Sequence, residues 1–266
     1  MKKWMVSMLF TLLAVFSLGQ TTFAGETPAV SQSRLELIQK RGYILIGTTG
    51  DYKPFSYYDA EANTYTGYDI DAALLLARDL GVEARFVKTT WPTLLRDLLA
   101  DQFDIAMGGI TRTFEREKKA HLSHGYIPFG KAALIRGVDQ EKYVSLASID
   151  QSGVKIGVNP GGTNEKFVRA NIKNAEIIVV TNNLAIPKMV ANAQVDVMIT
   201  DSIEALRYAK EDASLFAACT EQPFTSNQFG YLMKHGEQDF ANFVDMWMEE
   251  MVLKKEFDGL RKKWID

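Results

Sequence analysis

The sequence predicts an α/β protein of two lobes, each a mostly parallel sheet flanked by helices, with a ligand cleft between the lobes. Residues 43–107 and 155–199 carry this prediction, because each alternates apolar strand-like segments with amphipathic helix-like segments in the order β-α-β-α-β. The last strand segments of the two copies, Q-F-D-I-A-M (102–107) and Q-V-D-V-M-I (194–199), share one pattern. Two copies favour a pair of similar lobes over a long repeat array, and right-handed crossovers are expected in each.

The first copy begins with a helix and continues through three strands and two further helices. In chain order, the pattern predicts a helix over 33–41, a strand over 43–47, a turn-rich loop over 48–55, a helix over 67–80, a strand over 84–88, a helix that starts at 91–92 and a strand over 103–107. Gly42 and Gly81 suit helix ends, since glycine adopts the left-handed conformation without steric cost. Pro92 suits a first helical turn, where its missing N–H donor is not needed.

The second copy repeats this order, and a strand and a helical tail follow it. The pattern predicts a strand over 155–158, a helix to about 172, a strand over 177–180, a helix over 186–193, strands over 195–199 and 229–233, and helices with apolar faces around 240–251 and 257–264. We expect the chain to pass between the lobes at 129–136 and near Pro223. The predicted lobes are residues 25–131 plus 223–266 for lobe 1 and residues 132–222 for lobe 2.

Composition is that of an ordinary globular protein. The chain has 266 residues, 47% hydrophobic and 24% charged, which is enough for one large or two medium domains. A formal net charge of −3 without a basic stripe argues against nucleic-acid binding. Cys219 is the only cysteine, so core packing rather than disulfides has to stabilise the fold.

The first 24 residues have the pattern of a cleaved secretory signal peptide. Two lysines precede an apolar run from Met5 to about Gly19, and residues 22–24 (T-F-A) supply a small-residue cleavage site. The alternative is a membrane anchor, but the run is short for a full span and no second apolar segment follows. We therefore expect an exported protein that has no membrane attachment after cleavage.

The stretch 195–205 (V-D-V-M-I-T-D-S-I-E-A) places two carboxylates where ligands bind in open α/β sheets. Its β-branched residues at every second position suit a buried parallel strand, and the polar residues 200–202 can cap the helix that follows. Asp201 and Glu204 therefore lie at the carboxyl end of a core strand. From the pattern alone, this pair could bind a cation, or one of the two could donate a proton.

Four polar loops reach the predicted cleft, namely 48–55, 108–116, 159–165 and 200–204. Arg116 could hold a carboxylate with two parallel hydrogen bonds, or it could be a solvated arginine among charged neighbours. Residues 159–164 place two glycines and a threonine at a helix start, which suits an anion or is a plain helix cap. No P-loop lysine is present there, so nucleotide binding is not expected.

A metal site and a catalytic triad are not favoured by the pattern. Glu117, His121 and His124 could be metal ligands, but their spacing is weak and a solvated helix end is the better interpretation. No Ser-His-Asp order and no redox motif is present. The residues alone thus predict a two-lobed binder of a small anionic molecule and leave catalysis undecided.

Two motifs resemble the periplasmic solute-binding proteins of the polar amino-acid class, which have a two-lobed type II fold. These motifs are G-Y-D-I-D (67–71) and G-G-I-T…E-R (108–116). The resemblance implies that Arg116 holds a ligand α-carboxylate and that Asp201 holds its α-ammonium. Ala72 replaces a bulkier apolar residue of that signature, which affects packing more than ligand choice.

A more specific resemblance, to the exported cyclohexadienyl dehydratases, covers nearly the whole mature chain. Its motifs are T-T-G-D-Y-K-P-F-S-Y (48–57), T-W-P-T-L-L-R-D (90–97), F-D-I-A-M-x-G-I (103–110), V-N-P-G-G-T-N-E-K-F-x-R-A-N (158–171) and M-x-T-D-x-I-E-A (198–205). The resemblance implies that Glu204 is the general acid of a periplasmic enzyme. It also implies a substrate cleft lined by Asp51, Tyr52, Trp91, Thr111, Arg116, Lys131, Asn159, Thr163, Asn164 and Asp201.

The reaction that this resemblance implies belongs to phenylalanine biosynthesis. Prephenate would become phenylpyruvate, or L-arogenate would become L-phenylalanine, with loss of CO₂ and water. Aromatisation drives such a reaction, so we expect no metal or redox cofactor. The alternative is a non-catalytic amino-acid receptor, which would have a transporter permease as its partner; homo-oligomers are possible in either case.

Overall fold

The computed structural model describes residues 32–266, so the predicted signal peptide over 1–24 lies outside the described residues. Within 32–266 the chain forms two five-stranded sheets, a three-stranded sheet and a two-stranded ribbon. Buried side chains pack on both faces of each five-stranded sheet. No helix in the described part of the chain is long and apolar enough to cross a membrane.

The elements before the first passage between the large sheets alternate strands and helices. They are α1 (Arg34–Arg41), β1 (Tyr43–Thr48), β2 (Asp51–Tyr52), β3 (Ser56–Asp59), β4 (Thr64–Thr66), α2 (Tyr68–Leu80), β5 (Glu83–Lys88), α3 (Leu94–Leu99), β6 (Ile105–Ala106), α4 (Phe114–Glu117) and β7 (His121–Leu122). Gly42 and Gly81 end α1 and α2 in the left-handed conformation, at φ 76° and 71°, so both predicted helix ends are confirmed.

The remaining elements build the second large sheet and then return to the first. They are β8 (Pro128–Phe129), β9 (Lys131–Arg136), α5 (Leu146–Ile149), β10 (Lys155–Val158), α6 (Thr163–Asn171), β11 (Glu176–Val179), α7 (Ile186–Ala191), β12 (Val197–Asp201), α8 (Ser202–Glu211), β13 (Leu215–Ala218), β14 (Asn227–Gln228), β15 (Leu232–Met233), α9 (Gln238–Leu253) and α10 (Glu256–Trp264). Short 3₁₀ turns at Gly137–Asp139 and Asn183–Ala185 precede α5 and α7.

The two large sheets share one plan. The first has the order β5-β1-β6-β15-β7 and the second the order β11-β10-β12-β9-β13. In each, three parallel strands come from one β-α-β-α-β copy. Two further strands extend the sheet on one side, each pairing antiparallel with the strand before it. The predicted duplication is therefore confirmed. The carboxyl ends of the parallel strands carry the polar loops, which brings those loops together at one edge of each sheet.

Several predicted elements differ from the structure at their ends: the strand predicted over 103–107 covers only Ile105–Ala106, and the one predicted over 229–233 only Leu232–Met233. Two further differences lie at amino-terminal ends next to the site. Residues 91–93 form a turn in which the N–H of Leu94 donates to the carbonyl oxygen of Thr90 at 2.8 Å, so Pro92 precedes α3 instead of opening it. β12 begins at Val197, two residues after its predicted start, and ends at Asp201. Both shifts lie at element boundaries, which pattern reasoning defines least well.

The chain passes between the large sheets at a two-stranded ribbon. β8 pairs antiparallel with β14, with Phe129 opposite Asn227. The apolar run that follows β8 was predicted as part of this passage, which is wrong, because it forms β9 in the middle of the second sheet. Its burial on both faces is typical of a central strand. Lys131 thus lies in the second sheet, and the predicted lobe bounds stay a prediction.

The C-terminal tail packs onto the first sheet. Phe240, Val244, Trp247 and Met251 of α9 lie in one buried cluster with side chains of α2 and β1. This is the apolar face that the sequence predicts for the helix. The tail therefore holds the first sheet on the face opposite α3, and the loops at the strand ends stay free to face the second sheet.

Candidate active site

Glu204 lies in the first turn of α8, directly after the central strand β12, and its side chain is fully buried. The hydroxyl of Thr200 donates to its Oε2, and the amide Nδ2 of Asn183 donates to its Oε1 at 2.9 Å. Burial raises the pKa of Glu204 well above its usual range, and the nearby charges of Asp201 and Asp51 raise it further. Compared with a glutamate in water, this environment favours the protonated form of the carboxyl.

Asp201 is held by a lysine that the antiparallel pairing of β9 and β12 brings directly opposite it. Lys131 Nζ donates to Asp201 Oδ1, to Asn164 Oδ1 and, at 2.9 Å, to the hydroxyl of Thr163. Burial lowers the pKa of Lys131, and the charge of Asp201 opposes this shift. The two groups form a buried ion pair within the second sheet.

Tyr52 connects this pair to the facing lobe. Its hydroxyl donates to Asp201 Oδ2, and burial followed by the charge of Asp201 raises the pKa of Tyr52 well above its usual range. The edge of the Tyr52 ring meets the ring of Trp91, with centroids 5.6 Å apart and planes at 88°. Trp91 Nε1 in turn donates to Asp51 Oδ1 at 3.0 Å. The first lobe thus contributes an aromatic wall and the third carboxyl group of the site, that of Asp51.

Arg116 points into the cleft with most of its donors free. One Nη1–H donates to the carbonyl oxygen of Thr111 at 2.7 Å, and burial lowers the pKa of the guanidinium to about 10, so it stays charged at neutral pH. Its neighbour Glu115 pairs with Lys166 at 2.6 Å instead. Within residues 32–266 no carboxylate pairs with Arg116. The structure therefore favours a carboxylate-binding group over a solvated arginine.

The amino-terminal end of α6 faces the same space. Gly162 precedes the helix without a side-chain cap bond, and the hydroxyls of Thr163 and Thr111 lie 3.1 Å apart across the lobes. Asn164 Nδ2 donates to the Thr200 hydroxyl at 3.2 Å. Asn159 is 4% exposed, and its Oδ1 has no partner among the described residues. A buried, unpartnered acceptor at this position suits contact with a bound ligand.

These side chains enclose a cavity between the lobes with a volume of about 10 Å³. Its lining consists of Tyr52, Trp91, Gly109, Thr111, Asn159, Gly162, Thr163, Asn164 and Asp201. This is room for about one water molecule. Arg116 lines an adjoining cavity of about 180 Å³, and Asp51 lines another of about 370 Å³. A ring-containing ligand therefore needs the lobes to separate before it binds, and polarity rather than size identifies the site.

The structure thus brings all eleven predicted site residues to the junction of the lobes, where they line the three cavities or bind side chains that do. Sequence reasoning missed Asn183 and Thr200, the two direct partners of Glu204. Thr200 belongs to the polar loop 200–204 that the sequence predicts at the cleft. Asn183 follows the carboxyl end of β11, so the strand-end rule that found Glu204 could also have found residues 181–183.

The weak metal-site hypothesis gains no support. His121 Nδ1 lies 3.7 Å from Glu117 Oε1 and His121 Nε2 lies 3.8 Å from Asp245 Oδ2, while His124 extends toward Asp245 and Glu249. Within residues 32–266 no three His, Cys, Asp or Glu side chains are arranged to hold a metal ion. These groups form a surface network between β7 and α9.

The bacterial extracellular solute-binding proteins of family 3 match this chain over residues 44–266. Cyclohexadienyl dehydratase of Pseudomonas aeruginosa is 42% identical to it over 217 residues, which cover 82% of this chain and 80% of that protein. The family match includes every residue of this site. The two matches confirm the two-lobed fold and the resemblance that the motifs indicated.

Two solved structures are similar to this chain along most of its length. An ancestral amino acid-binding protein, a precursor of cyclohexadienyl dehydratase, has a TM-score of 0.82 at 35% identity. The match covers 88% of this chain and 100% of the ancestral protein. An ancestral cyclohexadienyl dehydratase has a TM-score of 0.56 at 50% identity, covering 89% and 98%. The fold is shared by an amino acid-binding protein and by an enzyme, so it does not distinguish binding from catalysis. The side chains of the site have to make that distinction.

Proposed function

We propose that this chain, which belongs to the bacterial extracellular solute-binding proteins of family 3, is an enzyme that catalyses the cyclohexadienyl dehydratase reaction. The observation that carries the proposal is the fully buried Glu204, which has a pKa raised well above its usual range beside Asp201 at the lobe junction. A protein that only binds amino acids needs no proton donor there. The 42% identity to the dehydratase of Pseudomonas aeruginosa supports the same function.

The proposed substrates are prephenate, which becomes phenylpyruvate, and L-arogenate, which becomes L-phenylalanine. The bond between the ring and its carboxylate breaks, and the electron pair forms a ring double bond that expels the ring hydroxyl. Glu204 gives this hydroxyl a proton, so the products are the aromatic ring, CO₂ and water. A free glutamate is almost wholly ionised at neutral pH, so burial is what keeps the donor protonated.

Each turnover consumes one proton, which Glu204 has to regain from solvent. Its side chain is fully buried in this closed conformation, and it does not line the small cavity. Separation of the lobes both admits substrate and exposes Glu204 to solvent. One opening step therefore serves substrate binding, product release and reprotonation.

The other site residues have distinct roles in this proposal. Arg116 holds the side-chain carboxylate of the substrate with its free donors. Lys131, Asn159 and Asn164 position the ring and its hydroxyl, and Trp91 packs against the ring. The ring carboxylate that departs is desolvated and bound only lightly, because tight binding there would stabilise the ground state.

The second candidate function is amino-acid binding for a transporter, which the TM-score of 0.82 to the ancestral amino acid-binding protein favours. In that function Asp201 would hold the ligand α-ammonium. Here Lys131 Nζ already donates to Asp201 Oδ1, and Tyr52 donates to Oδ2. An incoming ammonium has to compete with a positive charge at that carboxylate, which counts against a receptor for standard amino acids.

Product formation by the purified protein tests the proposal. Prephenate is added and phenylpyruvate is followed, and L-arogenate is added separately with L-phenylalanine as the product. We expect enzymatic turnover of at least one substrate. Absence of product from both, together with tight binding of a standard amino acid, would establish the receptor function instead.

We also propose that the protein works in the periplasm. The signal pattern over 1–24 and the match to extracellular solute-binding proteins both support this location. Fractionation of cells that express the full chain should place the mature protein in the periplasmic extract, shortened at the amino terminus. Retention of the full-length chain in the cytoplasm would contradict it.

A further inference from the structure

A single amide group connects Glu204 to the opposite lobe. Asn183 is 1% exposed and lies in the 3₁₀ turn after β11, in the second lobe. Its Nδ2 donates to Glu204 Oε1 and to the main-chain carbonyl oxygen of Asp51, both at 2.9 Å. Asp51 belongs to β2 in the first lobe. Asn183 is not among the predicted site residues and has no role in the proposed mechanism.

The neighbours fix the orientation of the Asn183 amide. The carbonyl oxygen of Asp51 can only accept a hydrogen bond, so the atom facing it has to be Nδ2 rather than Oδ1. Because Nδ2 can only donate, Glu204 Oε1 has to accept. The proton of the neutral carboxyl is therefore carried by Oε2, the oxygen that faces Thr200.

The orientation of Asn164 is consistent with this assignment. Lys131 Nζ only donates, so the atom that it contacts is Asn164 Oδ1, and Asn164 Nδ2 then donates to the Thr200 hydroxyl at 3.2 Å. Thr200 therefore accepts from Asn164 and donates to Glu204 Oε2 while the carboxyl is ionised. When Oε2 carries the proton, the Thr200 hydroxyl has to turn and accept from Oε2 instead.

We propose that Asn183 is a positioning residue that couples closure of the lobes to the acid function of Glu204, which rests on the proposed dehydratase function. Anchored by the Asp51 carbonyl, its amide keeps Glu204 Oε1 an acceptor and leaves the proton on Oε2. Opening of the lobes removes that anchor, because Asn183 and Asp51 lie on different lobes. The acid is therefore held in one orientation only when the cleft is closed.

The contact also affects the acidity of Glu204. A donated hydrogen bond stabilises the ionised carboxylate, so the Asn183 amide lowers the pKa of Glu204 against the larger effect of burial. The other titratable groups that act on Glu204 are Asp51 and Tyr52 of β2, Lys131 of β9, Asp201 at the end of β12 and Tyr208 on α8. A substitution of Asn183 leaves all of these residues in place, so a change in the pH profile reports the loss of the Asn183 amide.

The pH profile of turnover in Asn183→Ala and Asn183→Asp tests this proposal, with Asn192→Asp as the control at an exposed position of the same lobe. We expect kcat on prephenate to fall by about 10- to 100-fold in both variants, with KM changed by less than about threefold. In Asn183→Ala the alkaline limb of kcat should move to higher pH, because the ionised form of Glu204 loses a donor. The control should keep both the rate and the limb.

A purely structural role would lower thermal stability and the active fraction without moving the alkaline limb, and that result would overturn the proposal. Unchanged kcat in Asn183→Ala would overturn it as well. If the wild-type chain gives no turnover, the proposed dehydratase function is wrong, but the contact between Asn183 and Glu204 is not yet refuted. The carboxyl C=O band of Glu204 in infrared spectra of wild type and Asn183→Ala then tests the contact directly, since loss of a donor to Oε1 shifts that band and an unshifted band would refute the contact.

Discussion

Each of the two lobes contains a fully buried carboxyl group in the first turn of a helix. Glu204 lies at the start of α8, and Asp69 lies at the start of α2. Burial raises the pKa of both, that of Asp69 to about 7. Burial alone therefore does not distinguish an acid with a catalytic role from one with a structural role.

Their partners make the distinction. Asp69 accepts from the backbone N–H of Gly109, from the hydroxyl of Tyr126 at 2.7 Å and from that of Tyr231 at 3.3 Å, all within the first lobe. It anchors the loop that presents Thr111 to the cleft. Glu204 instead depends on an amide bound to the opposite lobe. A buried acid that depends on the contact between lobes can be switched by their motion, whereas Asp69 cannot.

The largest expected effect is that of Glu204→Gln on turnover. The variant keeps the size of the side chain but has no proton to donate, so kcat should fall by a factor on the order of 10² or more while prephenate still binds. Steady-state kinetics and calorimetric binding measure the two effects separately. Glu211→Gln, at the exposed end of the same helix, is the matched control and should keep full activity. Near-full activity of Glu204→Gln would contradict the acid role.

Arg116→Lys should weaken substrate binding. A lysine keeps the charge but cannot give a carboxylate two parallel hydrogen bonds, so kcat/KM should fall by about 10- to 100-fold, mainly through KM. Arg112→Lys, on the same loop, is the control, because Arg112 contacts Gln228 outside the cleft. Equal kinetics for the two variants would remove Arg116 from the substrate site.

Lys131→Met should change the preference between substrates. The variant frees Asp201 from its ion pair, which gives the ammonium of L-arogenate a partner that prephenate cannot use. The ratio of kcat/KM for L-arogenate to that for prephenate should rise by roughly tenfold, the worth of one charge-assisted hydrogen bond. Because the ratio is taken within one preparation, partial unfolding does not affect it. An unchanged ratio would show that Asp201 does not meet the substrate amine.

Asp69→Asn should change how stability depends on pH rather than the chemistry. The folded protein keeps the Asp69 proton up to a pKa of about 7, whereas the unfolded chain loses it near the ordinary value of 3.8. Asp69 therefore stabilises the fold below about pH 4, and this contribution is lost as pH rises toward 7, with a slope of at most about 1.4 kcal/mol per pH unit. Denaturant unfolding from pH 4 to 8 should show a shallower decline in Asp69→Asn than in wild type or in Asp239→Asn, an exposed control. Parallel curves would refute the burial effect.

Much of the fold was predictable because local signals mark it. Glycines 42 and 81 end two helices, and the strand over Lys155–Val158 has its predicted bounds. β9 was missed because it pairs antiparallel with β12, which lies far away along the chain, and no periodicity in the sequence specifies that partner. The pairing of Lys131 with Asp201 depends on that register and could not be read from sequence.

The site was predictable in position but not in role. The strand-end rule located Asp201 and Glu204, yet it could not rank them, and the acid role came from the resemblance of the motifs. Asn183 contacts Glu204 only through folding of the 3₁₀ turn and closure against Asp51, which are non-local events. Hydrogen-bond direction, which assigns the proton to one oxygen, requires the three-dimensional arrangement.

The central claim is that Glu204 carries a proton at neutral pH, and difference infrared spectroscopy of wild type against Glu204→Gln at pH 7 measures this most directly. A protonated carboxyl has a C=O band that an ionised carboxylate lacks. We predict that such a band is present in the wild type, is absent from Glu204→Gln and persists in Asp201→Asn. If the wild type differs from Glu204→Gln only in its carboxylate bands, Glu204 is ionised at pH 7, and this result would contradict the account.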